Sequence, residues 1–304
     1  MKKISEPIVF FGSGPVAAES LRLLAQDFEI EAVITKPRPP HHKGDVPVLN
    51  LAEQFNLAPY TAANKKELDG LLAKVSFKSQ LGVLIDFGII ISQKVIDFFP
   101  KGIINSHFSL LPEWRGADPI TFSILSGQEQ TGVSLMFLVE KMDEGPLLAQ
   151  AKQELPPDIT TPELTKRLIH LSRSLLVDNV PKYLNGITRA FPQGDTPATY
   201  SRKLTKEDGI IDWHKPAAQI EREIRAFIEW PKSRTTLGGK EIIITKAYVA
   251  ASTASQVKPG DISVIQETGL IAVATSDGSL CIERLKPSGK REMSTREFLS
   301  GYKL

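Results

Sequence analysis

Apolar strand-forming runs alternate with amphipathic helical runs through the first half of the chain, and that rhythm leaves few architectures open. PIVFFG (7–12) reads as a strand and PVAAESLRLLAQ (15–26) as a helix. IEAVIT (30–35) is a second strand and VLNLAEQF (48–55) a short helix. LGVLID (81–86), SQKVIDFF (92–99) and GIINSH (102–107) continue as strand, helix, strand. This is the βαβ pattern of a Rossmann-like, doubly wound, mostly parallel sheet. GVSLMFLV (132–139) and PLLAQAKQEL (146–155) add two strands. A long helix follows from about Pro162 to about Leu184, opened by the capping-box pair Thr160 and Glu163.

The texture changes after Gly186. TRAFPQGDTPATYSRKLTKEDG (188–209) is rich in turn formers and charges and reads as a linker. A helix within KPAAQIEREIRAFIEW (215–230) ends at Trp230-Pro231. Short strands at 241–250, 260–266, 269–276 and 279–286 then predict a small C-terminal, OB-like β-barrel, closed by a helix at 294–301. The expected organisation is a catalytic domain over 1–190, a linker over 191–206 and a barrel domain over 207–304. A chain of 304 residues suits two domains.

Composition narrows the class further. No run approaches the eighteen or so apolar residues of a membrane span, and the N-terminus lacks a signal-peptide core. One cysteine, Cys281, rules out an internal disulfide and a multi-cysteine metal site, so a cytoplasmic protein without a metal is expected. Residues 201–304 carry 17 Lys and Arg against 13 Asp and Glu, while the rest of the chain is slightly acidic. Such a basic tilt permits contact with a polyanion.

Three stretches bear chemistry. Gly12-Ser13-Gly14-Pro15-Val16-Ala17 has the letters of a dinucleotide fingerprint. No acid for the ribose follows between Glu31 and Asp45, which favours a tight strand-to-helix turn over a dinucleotide site. Asn105 and His107 lie two apart at a strand's carboxyl end, so they share a face where ligands sit in open α/β sheets. Met142-Asp143-Glu144-Gly145-Pro146 reads as a turn, or as the source of a carboxylate that orients His107.

Asn105-x-His107, Ser109-Leu110-Leu111-Pro112 and Met142-Asp143-Glu144-Gly145 together resemble the signature of the 10-formyltetrahydrofolate-dependent formyltransferases. The stretches at 199–213, 224–231 and 285–302 are similar to the linker and C-terminal domain of the tRNA-acting branch, so the likeness spans nearly the whole chain. It implies formyl transfer from 10-formyltetrahydrofolate to the amino group of initiator methionyl-tRNA, with Asn105, His107 and Asp143 catalytic. It places folate against Phe87, Gly88, Ile89 and Ile91 on one side and Ser109, Leu110, Leu111 and Pro112 on the other. Lys36, Arg38, Lys43, Arg115, Lys203 and Lys206 are the basic residues expected to meet tRNA. No protein partner is expected. Asp86-Phe87-Gly88 stands where the family usually has Ala-Tyr-Gly, and Phe108 follows the histidine where a small residue or Pro is common.

The chemistry fits those residue types. An amine attacks the formyl carbon directly, so no enzyme nucleophile is needed. Asn105 would donate to the developing oxyanion, and His107, as an imidazolium, would stabilise it. Asp143 would hold His107 or bind a water that takes the amine proton. A nucleotide-linked amino sugar is the competing acceptor. A catalytically silent tRNA- or folate-binding protein is the third reading, and the intact Asn105, His107 and Asp143 speak against it.

Overall fold

The structure is a computed structural model, and it describes residues 4–39, 45–250, 257–302 and 304. The expected Lys43 lies outside the described residues. The chain forms two compact units. One comprises Met1–Pro119, Gln130–Glu154 and Thr165–Ser201, and the other Ile120–Glu129, Leu155–Leu164 and Arg202–Leu304. Two stretches expected within the first domain thus group with the C-terminal residues.

In chain order the first two-thirds runs β1 (Ile4–Phe11), α1 (Pro15–Asp27), β2 (Phe28–Thr35), α2 (Pro47–Gln54), β3 (Pro59–Thr61), α3 (Lys65–Leu72), β4 (Leu81–Leu84), α4 (Gln93–Asp97) and β5 (Ile103–His107). It continues through β6 (Arg115–Gly116), α5 (Pro119–Ser126), β7 (Gln130–Phe137), β8 (Leu147–Glu154), α6 (Thr161–Leu184) and β9 (Tyr200–Ser201). Seven strands make one sheet in the order β3-β2-β1-β4-β5-β7-β8. β1 to β5 run parallel, as the alternation implies, and β7 and β8 are added antiparallel. Helix α3 is absent from the sequence reading. Its start is nevertheless local chemistry, because Asn64 Oδ1 accepts from the Glu67 amide at 3.1 Å while Glu67 accepts from the Ala63 amide at 2.9 Å.

The two faces of β5 do different work. Ser106 points to one face, and its hydroxyl pairs with that of Ser172 on α6 at 2.6 Å. Ile103, Asn105 and His107 point to the other. On that second face Ile103 joins Val9, Phe11, Ala32 and Ile34 under Leu68 and Leu72 of α3 and Val95 of α4. Helix cover therefore seals the lower part of the row, and Asn105 and His107 lie farther along the same row.

The second unit has β10 (Arg234–Leu237), β11 (Lys240–Ala250), β12 (Ile262–Ile265), β13 (Leu270–Ala274), β14 (Ser279–Pro287) and β15 (Met293–Ser294), with α7 (Ala217–Ala226) and α8 (Thr295–Gly301). The expected small barrel is a curled antiparallel half-barrel, ordered β10-β11-β14-β13-β12 with β15 beside β14. Ile220 and Ile224 of α7 and Phe298 of α8 fill its core against Ile242, Ile244 and Ile282. Ser294 and Glu297 form the expected capping box of α8. Helix α7 stops at Ala226, short of Trp230.

The segment read as a linker is pinned at both ends. Phe191 exchanges backbone hydrogen bonds with Leu147 at 2.7 and 2.8 Å, and Thr199 bonds Pro112 and Arg115 at 3.2 and 2.9 Å. Gly194 to Pro197 are exposed between these anchors. We expect a protease of broad specificity to cut first within 194–197, since exposed, unanchored backbone is the preferred nicking site. A first cut inside 270–287 would contradict this.

Candidate active site

His107 sits at the end of β5, 6 % exposed, with its ring held on both sides. Nε2 donates to the Trp114 carbonyl oxygen at 2.9 Å, since a carbonyl only accepts. Nδ1 faces Asp143 Oδ1 at 3.9 Å, an ion-pair distance too long for a direct hydrogen bond. Asp143 Oδ2 accepts from the Gly116 amide at 2.8 Å. Gly116 has φ +112, and a Cβ there would strike the Ser201 carbonyl oxygen, so this backbone approach needs glycine.

Asp143 reaches His107 by an unexpected route. The two were expected at the ends of adjacent parallel strands, whereas β5 and β7 are antiparallel, with Ile104 opposite Phe137 and His107 opposite Ser134. β7 therefore ends beside the start of β5. The segment after Phe137 turns back along the sheet face, with Leu138 packed against both the main cluster and the smaller cluster of Leu111, Met136 and Leu147. Asp143 ends this return in a left-handed conformation, φ +55, which Asp tolerates better than most residues.

Asn105 is buried to 8 % exposure, level with Met136 of β7. Among the described residues its carboxamide makes no hydrogen bond, and it is absent from the fully enclosed unpaired atoms. An amide left without a partner in a nearly buried position, yet still open to solvent, is a donor available to a ligand.

The proposed folate walls are less uniform than the sequence suggested. Phe87 is a core residue, 2 % exposed, edge-to-face with Phe11 at 5.6 Å, so its ring is not presented as a wall. The Ser109 hydroxyl is likewise spent, donating to the Glu113 carbonyl at 2.5 Å. Leu111 is buried against Met136 and Leu147, while Leu110 leans over Gly132. Gly88 (φ +64), Ile89, Ile91 and Pro112 surround these positions, and Ile89 and Ile91 are only partly buried. Ile90, on the 87–91 segment, and Met142, next to Asp143, are 77 % and 68 % exposed.

Arg115, expected to meet tRNA, has a side chain only 13 % exposed. Its guanidinium meets Glu144 at 3.2 Å and donates to Gln193 Oε1 at 2.8 Å. Gln193 in turn donates to the Asp143 and Gly145 carbonyl oxygens at 2.7 and 2.9 Å. No sequence signal marks Gln193, because its partners lie 48 to 78 residues away. Lys36, Arg38, Lys203 and Lys206 are exposed, and Arg38 also donates to Asn50 at 3.0 Å.

Asp86, two residues beyond β4, has φ +46. Its carboxyl is pushed up to about 6, first by crowding of protein around it, with Lys36 pulling it down and Asp118 pushing it up. The residue is nevertheless exposed to solvent, which tempers the crowding.

This fold is that of the formyltransferases. The formyl transferase family model matches residues 8–180, and the formyl transferase C-terminal domain model matches residues 203–303. A methionyl-tRNA formyltransferase of Roseiflexus castenholzii is 35 % identical over 303 residues, covering 98 % of this chain and 96 % of its own. One from Chloroflexus aurantiacus is 36 % identical over 302 residues, with 97 % and 96 % covered. The chain belongs to the formyl transferase family, among the methionyl-tRNA formyltransferases. A solved sugar N-formyltransferase from Helicobacter canadensis shares the fold at TM-score 0.68 and 18 % identity, covering 92 % of this chain and 99 % of its own.

Two outcomes follow from this geometry. Gln193→Ala frees the Asp143 carbonyl and Arg115 and should lower the formyl-transfer rate by about tenfold or more, because small misplacements in a site are costly. Equal rates would show that Gln193 does not position the loop. Asp86 holds its proton more tightly in the folded chain than in the unfolded one, so folding binds protons between about pH 4 and pH 6 and stability falls as pH rises through that window. Asp86→Asn should therefore gain in melting temperature over the parent as pH climbs from 4 to 7. A constant difference across that range would contradict the raised pKa.

Proposed function

We propose that this enzyme transfers the formyl group of 10-formyltetrahydrofolate to the free amino group of initiator methionyl-tRNA. The observation that carries the mechanism is the unpartnered Asn105 carboxamide two residues from the His107–Asp143 pair. In formyl transfer the amine nitrogen attacks the formyl carbon, and negative charge collects on the formyl oxygen. Asn105 donates a hydrogen bond to that oxygen. His107 in its protonated form lies beside it, stabilised by the Asp143 carboxylate. Nε2 exchanges the Trp114 carbonyl for the reacting atoms when substrate enters, as catalytic hydrogen bonds often rearrange on binding. The ring then gives its proton to the departing folate nitrogen, and Asp143, or a water it holds, receives the amine proton.

Folate lies between the 87–91 segment and the 109–112 loop. The apolar side chains of Ile90 and Met142, exposed on the segments flanking Asn105 and His107, support that placement. The tRNA reading rests on the named relatives and on Lys203 and Lys206, exposed in the C-terminal unit whose residues match the family's second model. Lys36, and Lys43 from the same loop, would add to it. The likeness to sugar N-formyltransferases keeps a nucleotide-linked amino sugar as the competing acceptor.

The test is product formation from 10-formyltetrahydrofolate with each acceptor in turn. Methionyl-tRNA should be formylated and the amino sugar left unchanged; the reverse result rejects the tRNA reading. Asn105→Ala should lower kcat by about 10²–10³-fold, the cost of removing one oxyanion donor. His107→Ala should act on kcat with little change in donor affinity. Loss of donor binding at an unchanged kcat would contradict these roles.

A further inference from the structure

A neutral imidazole has one proton for two nitrogens, and His107 has an acceptor on each side. The Trp114 carbonyl oxygen lies 2.9 Å from Nε2, and the Asp143 carboxylate lies 3.9 Å from Nδ1. The nearer acceptor holds the proton, so the aim of the Trp114 carbonyl decides which nitrogen carries it. A ring protonated on Nδ1 alone has no hydrogen on Nε2 to offer.

That carbonyl is aimed from behind. A trans peptide is planar, and its C=O and N–H point in opposite directions. The N–H in the same peptide as the Trp114 carbonyl belongs to Arg115, and it donates to the Thr199 carbonyl oxygen at 2.9 Å. The Trp114 amide, on the other side of the residue, donates to the Thr199 hydroxyl oxygen, also at 2.9 Å. The Thr199 amide donates to the Pro112 carbonyl oxygen at 3.2 Å, a third bond to the same loop. Trp114 itself has φ +54, a left-handed backbone that a large residue keeps only when its surroundings impose it. Thr199 supplies that constraint by bracketing it. The residues after Thr199 continue the contact. Tyr200 pairs with Arg115 and Ser201 with Gly116, whose amide holds Asp143.

We propose that Thr199 is a positioning residue for His107, fixing the Trp114 peptide so that its carbonyl keeps the neutral ring's proton on Nε2. The functional part of this rests on the mechanism above, in which Nε2 leaves Trp114 for the reacting atoms. The hydroxyl oxygen is the part of the clamp that a side-chain change removes. Thr199 is exposed, so replacing it leaves the fold intact.

The experiment reads the His107 ring nitrogens by NMR in the isotope-labelled full chain, at a pH where the ring is neutral. The His107 signals are those missing from His107→Gln. Turnover with 10-formyltetrahydrofolate and methionyl-tRNA is measured alongside. The parent should show the proton on Nε2. In the isosteric Thr199→Val part of the population should move to the Nδ1–H form, and kcat should fall by about threefold to tenfold, the worth of one neutral hydrogen bond, with the donor KM unchanged. Thr199→Ser, which keeps the hydroxyl, should restore both. Thr199→Val with the Nε2–H form undiminished overturns the proposal, and so does a loss that Thr199→Ser shares. A parent that does not formylate methionyl-tRNA rejects the functional reading, and the position of the ring proton in the two variants still decides whether Thr199 sets it.

Discussion

Asp143 can stand beside His107 only because the chain between β7 and β8 doubles back over the sheet. An antiparallel neighbour delivers its end to the wrong edge, and the return over Asn105's face corrects that. Much of the surrounding structure keeps the return in place. Leu138 glues it to two apolar clusters, the Gly116 amide grips the carboxylate, and Gln193 grips the backbone on either side of Glu144. Arg115 joins Glu144 to Gln193 and so closes the ring of contacts. The charge pair at the centre is the visible outcome of a loop-positioning problem.

The opposite face of β5 is fixed by equally plain means. A buried hydroxyl pair between Ser106 and Ser172 sets the strand against α6, where unpaired hydroxyls would be costly. With that face locked and the lower row sealed by α3 and α4, alternation along the strand leaves Asn105 and His107 to face the cleft.

The sequence carried the fold class, because the alternation of periods two and 3.6 is written locally. It also carried Asn105, His107 and Asp143 as candidates, through the strand end and the turn after GVSLMFLV. Strand direction was hidden: an apolar run such as 132–139 reads the same in either sense. The partners of Phe87 and Arg115 were hidden for a related reason. Whether a ring packs inward on Phe11 or outward on a ligand, and whether a guanidinium meets phosphate or Glu144, depends on partners far along the chain. Gln193 was invisible because nothing around it departs from an ordinary linker. Asp86 was noted only as a departure from the family's usual alanine, and its fit to Gly14 emerged from the geometry.

The clamp at Gln193 has a consequence for how the site comes into being. Residue 193 lies downstream of every strand in the large sheet, so the sheet can be complete while Asp143 is still unheld. Long-range closures of this kind are made late, after local elements have formed. During synthesis on the ribosome the fold of the first unit thus precedes its competence, and a nascent chain can bury its core well before its last positioning contact exists.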